Sequence, residues 1–111
     1  MARVPNADRA ILDIRKIEEY CLNPAHPRGR HKARVFREAL GIGQNDAQWL
    51  REVLLEALRQ SEADEAASND LDRRWRVDVP VTRHGKRVVV RTIWILRSSE
   101  TSPRFVTCWV L

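Results

Sequence analysis

The sequence predicts an α+β domain in which about three N-terminal helices precede an antiparallel sheet of three or four strands. Apolar residues recur at helical spacing as far as about residue 60, and from about Asp72 they alternate with polar ones, as in strands with one buried face. The chain has 111 residues, of which 43% are hydrophobic. We therefore expect a single domain spanning residues 1–111.

The first helix is expected to begin at Asp13, whose carboxylate is a suitable N-cap, and to end before Asn23-Pro24. Pro24 and Pro27 each disfavour helical backbone in the residue before them. The stretch "NPAHPRG" is therefore predicted to be a loop with few accessible conformations, a property that suits a functional loop.

Two further helices follow the loop. The segment "RHKARVFREAL" keeps a helical stripe of apolar residues from about Arg30 to Leu40, with Gly41 as its C-cap. On this helix Lys32 is expected at the edge of the apolar stripe. The third helix starts at Asn45 or Asp46 and is amphipathic. The polar segment "SEADEAASND" fits either an irregular edge strand or a linker.

The C-terminal part is predicted to be an antiparallel meander. "RRWRVDVPV" alternates, with Trp75 on the apolar face; the turn Arg83 to Lys86 leads into "RVVVRTIWIL", and "RFVTCWVL" follows. Trp75 is expected in the core, whereas Trp94 and Trp109 fit either a core position or stacking on RNA bases. The polar face of the sheet would gather Arg74, Arg76 and some of Arg91, Thr92 and Thr107.

The charge of the chain is unevenly distributed. The net charge is +5, made up of +4 in residues 1–43, −6 in residues 44–72 and +7 in residues 73–111. The stretch "NPAHPRGRHKARVF" has four cationic side chains and two histidines without a carboxylate. Because like charges repel, this crowding suggests a polyanionic ligand such as nucleic acid. The alternative is that the positive charge serves only solubility.

Several classes of protein do not fit the sequence. The longest apolar run is interrupted by Arg91, and the first twenty residues lack the apolar core of a signal peptide. We therefore expect a cytoplasmic protein without membrane contact, or a module detached from a larger carrier. Cys21 and Cys108 should stay reduced there. Two cysteines and three scattered histidines offer a poor metal site, so we expect neither metal nor cofactor.

The motif "LNPAHPRGRHKARVF" is similar to the core of a bacterial domain family that reads LNP-HP-G--KA-VF. "VRTIWIL" and "PRFVT" resemble the C-terminal motifs of that family, so the likeness covers nearly the whole chain. The family in turn resembles the C-terminal domains of polymorphic and contact-dependent toxins, in the barnase, EndoU, colicin and RelE grouping of metal-independent ribonucleases. The resemblance implies a barnase/RelE-like fold and cleavage of RNA by attack of the ribose 2′-OH on the neighbouring phosphate.

The resemblance also implies residue roles. His26 and Lys32 fall on motif positions and would be the proton-transfer group and the phosphate-facing cation, with His31 as a second candidate base. Arg91, Thr92 and Thr107 resemble polar strand residues aimed at the scissile phosphate. Each has a structural alternative: His26 could cap the following turn, Lys32 could lie over the core edge, and the threonines could simply favour strands. The expected RNA-binding residues are Arg28, Arg30, Arg34, Arg74 and Arg76.

The predicted function is therefore a metal-independent endoribonuclease toxin of a toxin–antitoxin or effector–immunity pair. Its partners would be RNA, with tRNA among the candidates, and a small acidic antitoxin or immunity protein. The alternative is a non-catalytic module that binds nucleic acid or an acidic protein.

Overall fold

The structure of the protein is a computed structural model that describes residues 3–66, 69 and 71–111. A short 3-10 turn, Ala7–Arg9, precedes the helices. Helix α1, Ile14–Lys16, continues directly into a π-helical turn, Ile17–Cys21. Helices α2, Arg30–Leu40, and α3, Ala47–Gln60, follow, and a second 3-10 turn, Gln44–Asp46, leads into α3.

The described strands form one antiparallel sheet in the order β1-β2-β3-β4. The strands are β1, Asp64–Glu65; β2, Asp72–Arg83; β3, Lys86–Arg97; and β4, Arg104–Val110. The prediction of an α+β chain with N-terminal helices followed by an antiparallel meander is confirmed. The alternative left open at "SEADEAASND" is resolved in part: Asp64 and Glu65 form an edge strand, whereas residues 67, 68 and 70 lie outside the described residues.

The local signals at the helix ends act as the sequence predicted. The Asp13 carboxylate accepts a hydrogen bond from the Arg15 backbone N–H at 3.0 Å, as an N-cap does. Gly41 ends α2 with a φ of 69°, in the left-handed region that glycine adopts without strain.

No described helix is both long enough and apolar enough to cross a membrane.

The β2–β3 hairpin fixes which strand residues face the core. His84 and Gly85 both have positive φ, which is typical of the two-residue turns that match the twist of a hairpin. That turn places Trp75 opposite Trp94 and Val77 opposite Thr92. Thr92 therefore lies on the buried face rather than on the polar face where it was a candidate, and Trp94 is a core residue.

The core lies between the inner face of the sheet and the helices. The sheet contributes Trp75, Trp94 and Phe105, and α2 contributes Phe36 and Leu40, all of them at most 1% exposed. Helix α3 adds Leu50, Leu54 and Leu58. Because α2 packs against β3 and β4, its charged residues are held beside the outer edge of β4.

Candidate nucleic-acid interface at the α2–β4 edge

The loop that precedes α2 is held against the π-helical turn by Gly29. A Cβ atom on Gly29 would overlap the carbonyl oxygen of Tyr20, so only glycine allows this approach. His26 lies across the same contact, with its ring edge-on to that of Tyr20 at 4.8 Å between centroids. The loop is thus packed against Tyr20, which is part of the candidate site.

His26 has a structural role in this arrangement. Its Nδ1 accepts hydrogen bonds from the backbone N–H groups of Arg28 and Gly29, each at 3.0 Å, just before α2 begins. A nitrogen that accepts from two backbone donors carries no proton, so the proton of the neutral ring lies on Nε2. In this state His26 can donate a hydrogen bond to a ligand through Nε2, but it offers no free lone pair to act as a base.

Lys32 is the central cation of the candidate site. Its Nζ donates to the Thr107 hydroxyl at 3.0 Å and to the Tyr20 hydroxyl at 3.2 Å. The same ammonium lies over the rings of Tyr20 and Trp109, at 4.9 and 5.3 Å from their centroids. Lys32 is half-buried, and it is held only by neutral groups. Such a cation retains its attraction for an incoming anion.

His31 and Trp109 border the cleft next to Lys32. The cleft has a volume of about 430 Å³ and is lined by His31, Lys32, Val35, Trp109 and Val110. His31 is exposed, and its Nδ1 lies 3.2 Å from a guanidinium nitrogen of Arg34. A guanidinium only donates, so Nδ1 is the acceptor in this contact. A movement of the exposed His31 side chain can break this contact and free the lone pair of Nδ1 to accept a proton. The Nδ1 of His26 has no such freedom, because it accepts from two backbone N–H groups.

Two buried thiols lie behind Thr107. Cys21 and Cys108 are both fully buried, and the Cys21 sulfur lies 3.8 Å from the Thr107 hydroxyl. A hydrogen bond from the Cys108 thiol lowers the pKa of Cys21, and the Thr107 hydroxyl and the Lys32 ammonium act in the same direction. The pKa of Cys108 is raised, because its thiol is the donor to Cys21 and is buried. The polar contacts that Lys32 and Thr107 make at the β4 edge therefore continue to the two thiols in the interior.

The cations of the strands differ from those of α2, because most of them have acidic partners. Arg91 makes two hydrogen bonds to Asp78, at 2.9 and 3.0 Å, and Arg76 pairs with Asp64 at 3.2 Å. The other strand cations with ion-pair partners are Arg73, Arg83, Arg97 and Arg104. By contrast, no described carboxylate forms an ion pair with a cation of α2: Arg30, Lys32, Arg34 and Arg37.

The structure therefore brings together only part of the predicted set. Lys32 and Thr107 are in contact, His31 borders them, and His26 reaches them through Tyr20. Arg76 and Arg91 lie on the outer face of the sheet, in a neighbouring cleft that shares Trp109. Arg74 is exposed on β2 and Arg28 is exposed in the loop.

Thr92 lies apart from the site. Its hydroxyl donates to the Val77 carbonyl at 2.7 Å and accepts from Trp94 Nε1 at 2.8 Å, within the core. The catalytic role considered for Thr92 would need a hydroxyl that reaches solvent, and this one is 1% exposed. We therefore leave Thr92 out of the proposed site.

Sequence reasoning missed Tyr20 and Cys21 and left Trp109 undecided. Tyr20 and Lys32 belong to different elements, so no periodicity links them. Trp109 follows a β-bulge in β4, opposite the step from Ile93 to Trp94, which alters the alternation of that strand. The one indication in the sequence was that Tyr20 and Trp109 are aromatic and lie near cationic residues, as in sites that bind single-stranded nucleic acid.

Comparison with known proteins gives a family but no activity. The chain matches, over residues 3–111, the family model described as "Domain of unknown function (DUF6883)". No curated protein matches the chain. The family description names neither a toxin nor a nuclease, so both stay predictions.

Proposed function

Since the chain belongs to the DUF6883 family, whose description gives no activity, we propose from the site itself that the protein binds RNA at the α2–β4 edge and cleaves it without a metal. The observation that carries this proposal is the uncompensated charge of α2. Lys32 is fixed by two hydroxyls and two rings, and no described acid pairs with it. A phosphate would supply the missing anion, and Trp109 offers a ring on which a base can stack.

The proposed reaction assigns one task to each group. Neutral His31 accepts the proton of the ribose 2′-OH at Nδ1, once its exposed side chain has turned that nitrogen away from Arg34. The 2′ oxygen then bonds to phosphorus while the bond from phosphorus to the 5′ oxygen breaks, which leaves a 2′,3′-cyclic phosphate. Water protonates the departing 5′ oxygen, and the hydroxide that remains takes the proton from His31, which returns the imidazole to its neutral form. Lys32 stabilises the additional negative charge on the phosphorane, and Tyr20 and Thr107 hold Lys32 in position.

The non-catalytic alternative is favoured by the hydrogen-bond partners of the two candidate histidines. His26 is occupied as a cap, and Arg34 alone among the described residues forms a side-chain hydrogen bond with His31. A general base is usually oriented by a further group. A module that only binds RNA or an acidic protein would need the cations of α2 and no such orientation.

Growth of an expressing host distinguishes the two functions. We propose that the protein acts in the cytoplasm as a toxin, so its production should arrest growth. Lys32→Met should relieve the arrest, and so should co-production of a small acidic protein encoded beside it, since such a partner would cover α2. Lys86→Met is the matched control. Lys86 is the first residue of β3 and lies near the C-terminal end of α2, far from Lys32 along the helix, where its Nζ is 3.4 Å from the Glu38 carbonyl oxygen. Normal growth with folded wild-type protein would favour the binding module.

A further inference from the structure

A second cleft lies on the opposite flank of α2 from Lys32. Its volume is about 450 Å³, and its lining includes Leu22, Ala33 and Ile42, which are buried and form an apolar floor. The cationic wall of this cleft consists of Arg30, Arg34 and Arg37. His31 borders both this cleft and the one beside Lys32.

The three arginines form one stripe on α2. They are spaced by four and three residues, which places them along the same side of a helix. All three are exposed, and no described carboxylate pairs with them. Like charges at this spacing destabilise a helix, and Arg30 also lies at its first turn, where the helix dipole opposes a cation. The stripe therefore carries a cost that a bound anion would remove.

We propose that this cleft is a second nucleotide subsite, which holds a phosphate next to the one at Lys32. The inference deepens the proposed function and rests on it, since it assigns a polynucleotide, rather than a dinucleotide, as the ligand. The stripe supplies guanidinium donors for a phosphate, and the exposed Pro24, which also lines the cleft, offers an apolar surface to a base or sugar. His31, which borders both clefts, lies where the RNA backbone would cross α2.

The test compares ligands of two lengths. The probes are fluorescein-labelled single-stranded RNAs, a dinucleotide and a decamer, with 2′-O-methyl groups at every position so that neither can be cleaved. The variants are Arg34→Gln/Arg37→Gln and, as a control with the same loss of charge, Arg9→Gln/Arg87→Gln. Arg9 and Arg87 are exposed and lie outside the cleft.

The expected result is that Arg34→Gln/Arg37→Gln binds the decamer with a weaker salt dependence than the wild type does. Each phosphate contact to a single strand contributes a slope of about 0.7 in log Kd against log salt. The proposed subsite holds one phosphate, so between 50 and 200 mM salt the wild-type affinity for the decamer should fall about 2.6-fold more than that of Arg34→Gln/Arg37→Gln. The dinucleotide should bind both proteins alike, and the control variant should follow the wild type.

Other outcomes would overturn the subsite. If Arg34→Gln/Arg37→Gln matches Arg9→Gln/Arg87→Gln with the decamer, the cleft holds no phosphate. If the two cleft arginines matter for a polyglutamate decamer and not for RNA, the cleft binds an acidic protein. The catalytic proposal is tested separately, with cleavable RNA: failure to cleave, together with the expected salt result, would remove catalysis and keep the subsite.

Discussion

Replacement of His26 by alanine should destabilise the domain, because this histidine caps the turn that leads into α2. The substitution removes the acceptor of two backbone N–H groups, at 3.0 Å each, and the edge contact with Tyr20. Loss of a capping side chain costs about 1 kcal/mol, and an aromatic contact adds roughly another 1 kcal/mol. We therefore expect the free energy of unfolding of His26→Ala to fall by about 2 kcal/mol.

The corresponding change in melting temperature follows from chain length. The entropy of unfolding is about 2.1 cal/mol/K per residue, or about 0.23 kcal/mol/K for a chain of this size, so Tm should fall by about 9 °C. Thermal unfolding followed by circular dichroism gives this number directly. His26→Asn should recover much of the loss, because the Asn carbonyl oxygen can accept from the same backbone groups.

The matched control for this measurement is His31→Ala. His31 is exposed, and its side-chain hydrogen-bond partner among the described residues is Arg34, so its removal should leave Tm unchanged within about 2 °C. If His26→Ala kept the wild-type Tm and also abolished RNA cleavage, His26 would be a free catalytic imidazole. The assignment of the cap would then be wrong.

Three further substitutions test the structure. His84→Asn should raise stability by about 0.5 kcal/mol in denaturant unfolding, because His84 has a φ of 52° and asparagine tolerates that region better; lower stability would refute this turn. Thr92→Val should cost about 1–3 kcal/mol in the same assay by leaving the Trp94 indole N–H without its acceptor, and a neutral result would argue against a buried hydroxyl. Hydrogen bonds from Arg15 lower the pKa of Asp13 to about 2. The ionised carboxylate therefore stabilises the fold fully at pH values above its ordinary pKa, and this stabilisation is lost as the pH falls toward 2. Asp13→Asn should therefore lose less Tm than the wild type between pH 5 and pH 2; equal losses would contradict the cap.

The parts of the fold that local chemistry decides were predictable from the sequence. Helix α2 ends at Gly41 because the left-handed residue needed there is most easily glycine. Likewise, the alternation from Trp75 to Val81 placed one face of β2 in the core, since a strand with one buried face has a period of two.

The parts that depend on register and docking could not be predicted. Thr92 faces the core because the turn has a two-residue loop, which pairs Thr92 with Val77; the sequence predicted the turn but not its loop length, and a shift of one residue would place Thr92 on the other face. The contacts of Lys32 with Tyr20 and Thr107 join three elements. Their proximity exists only after α2 packs on β4, so the sequence named Lys32 and Thr107 as candidates but predicted neither their contact nor the role of Tyr20.

RNA cleavage by wild type and Lys32→Met in the presence of EDTA tests the central claim most directly. The wild type should cut a labelled single-stranded RNA and leave a 2′,3′-cyclic phosphate, and it should fail on a strand with 2′-deoxyribose at the cut site. Loss of one charge-stabilising donor typically slows a reaction by about 10²–10³-fold, so Lys32→Met should show that drop while Lys86→Met does not. Cleavage that survives in Lys32→Met, that requires a divalent ion, or that is absent from the folded wild type would contradict the account.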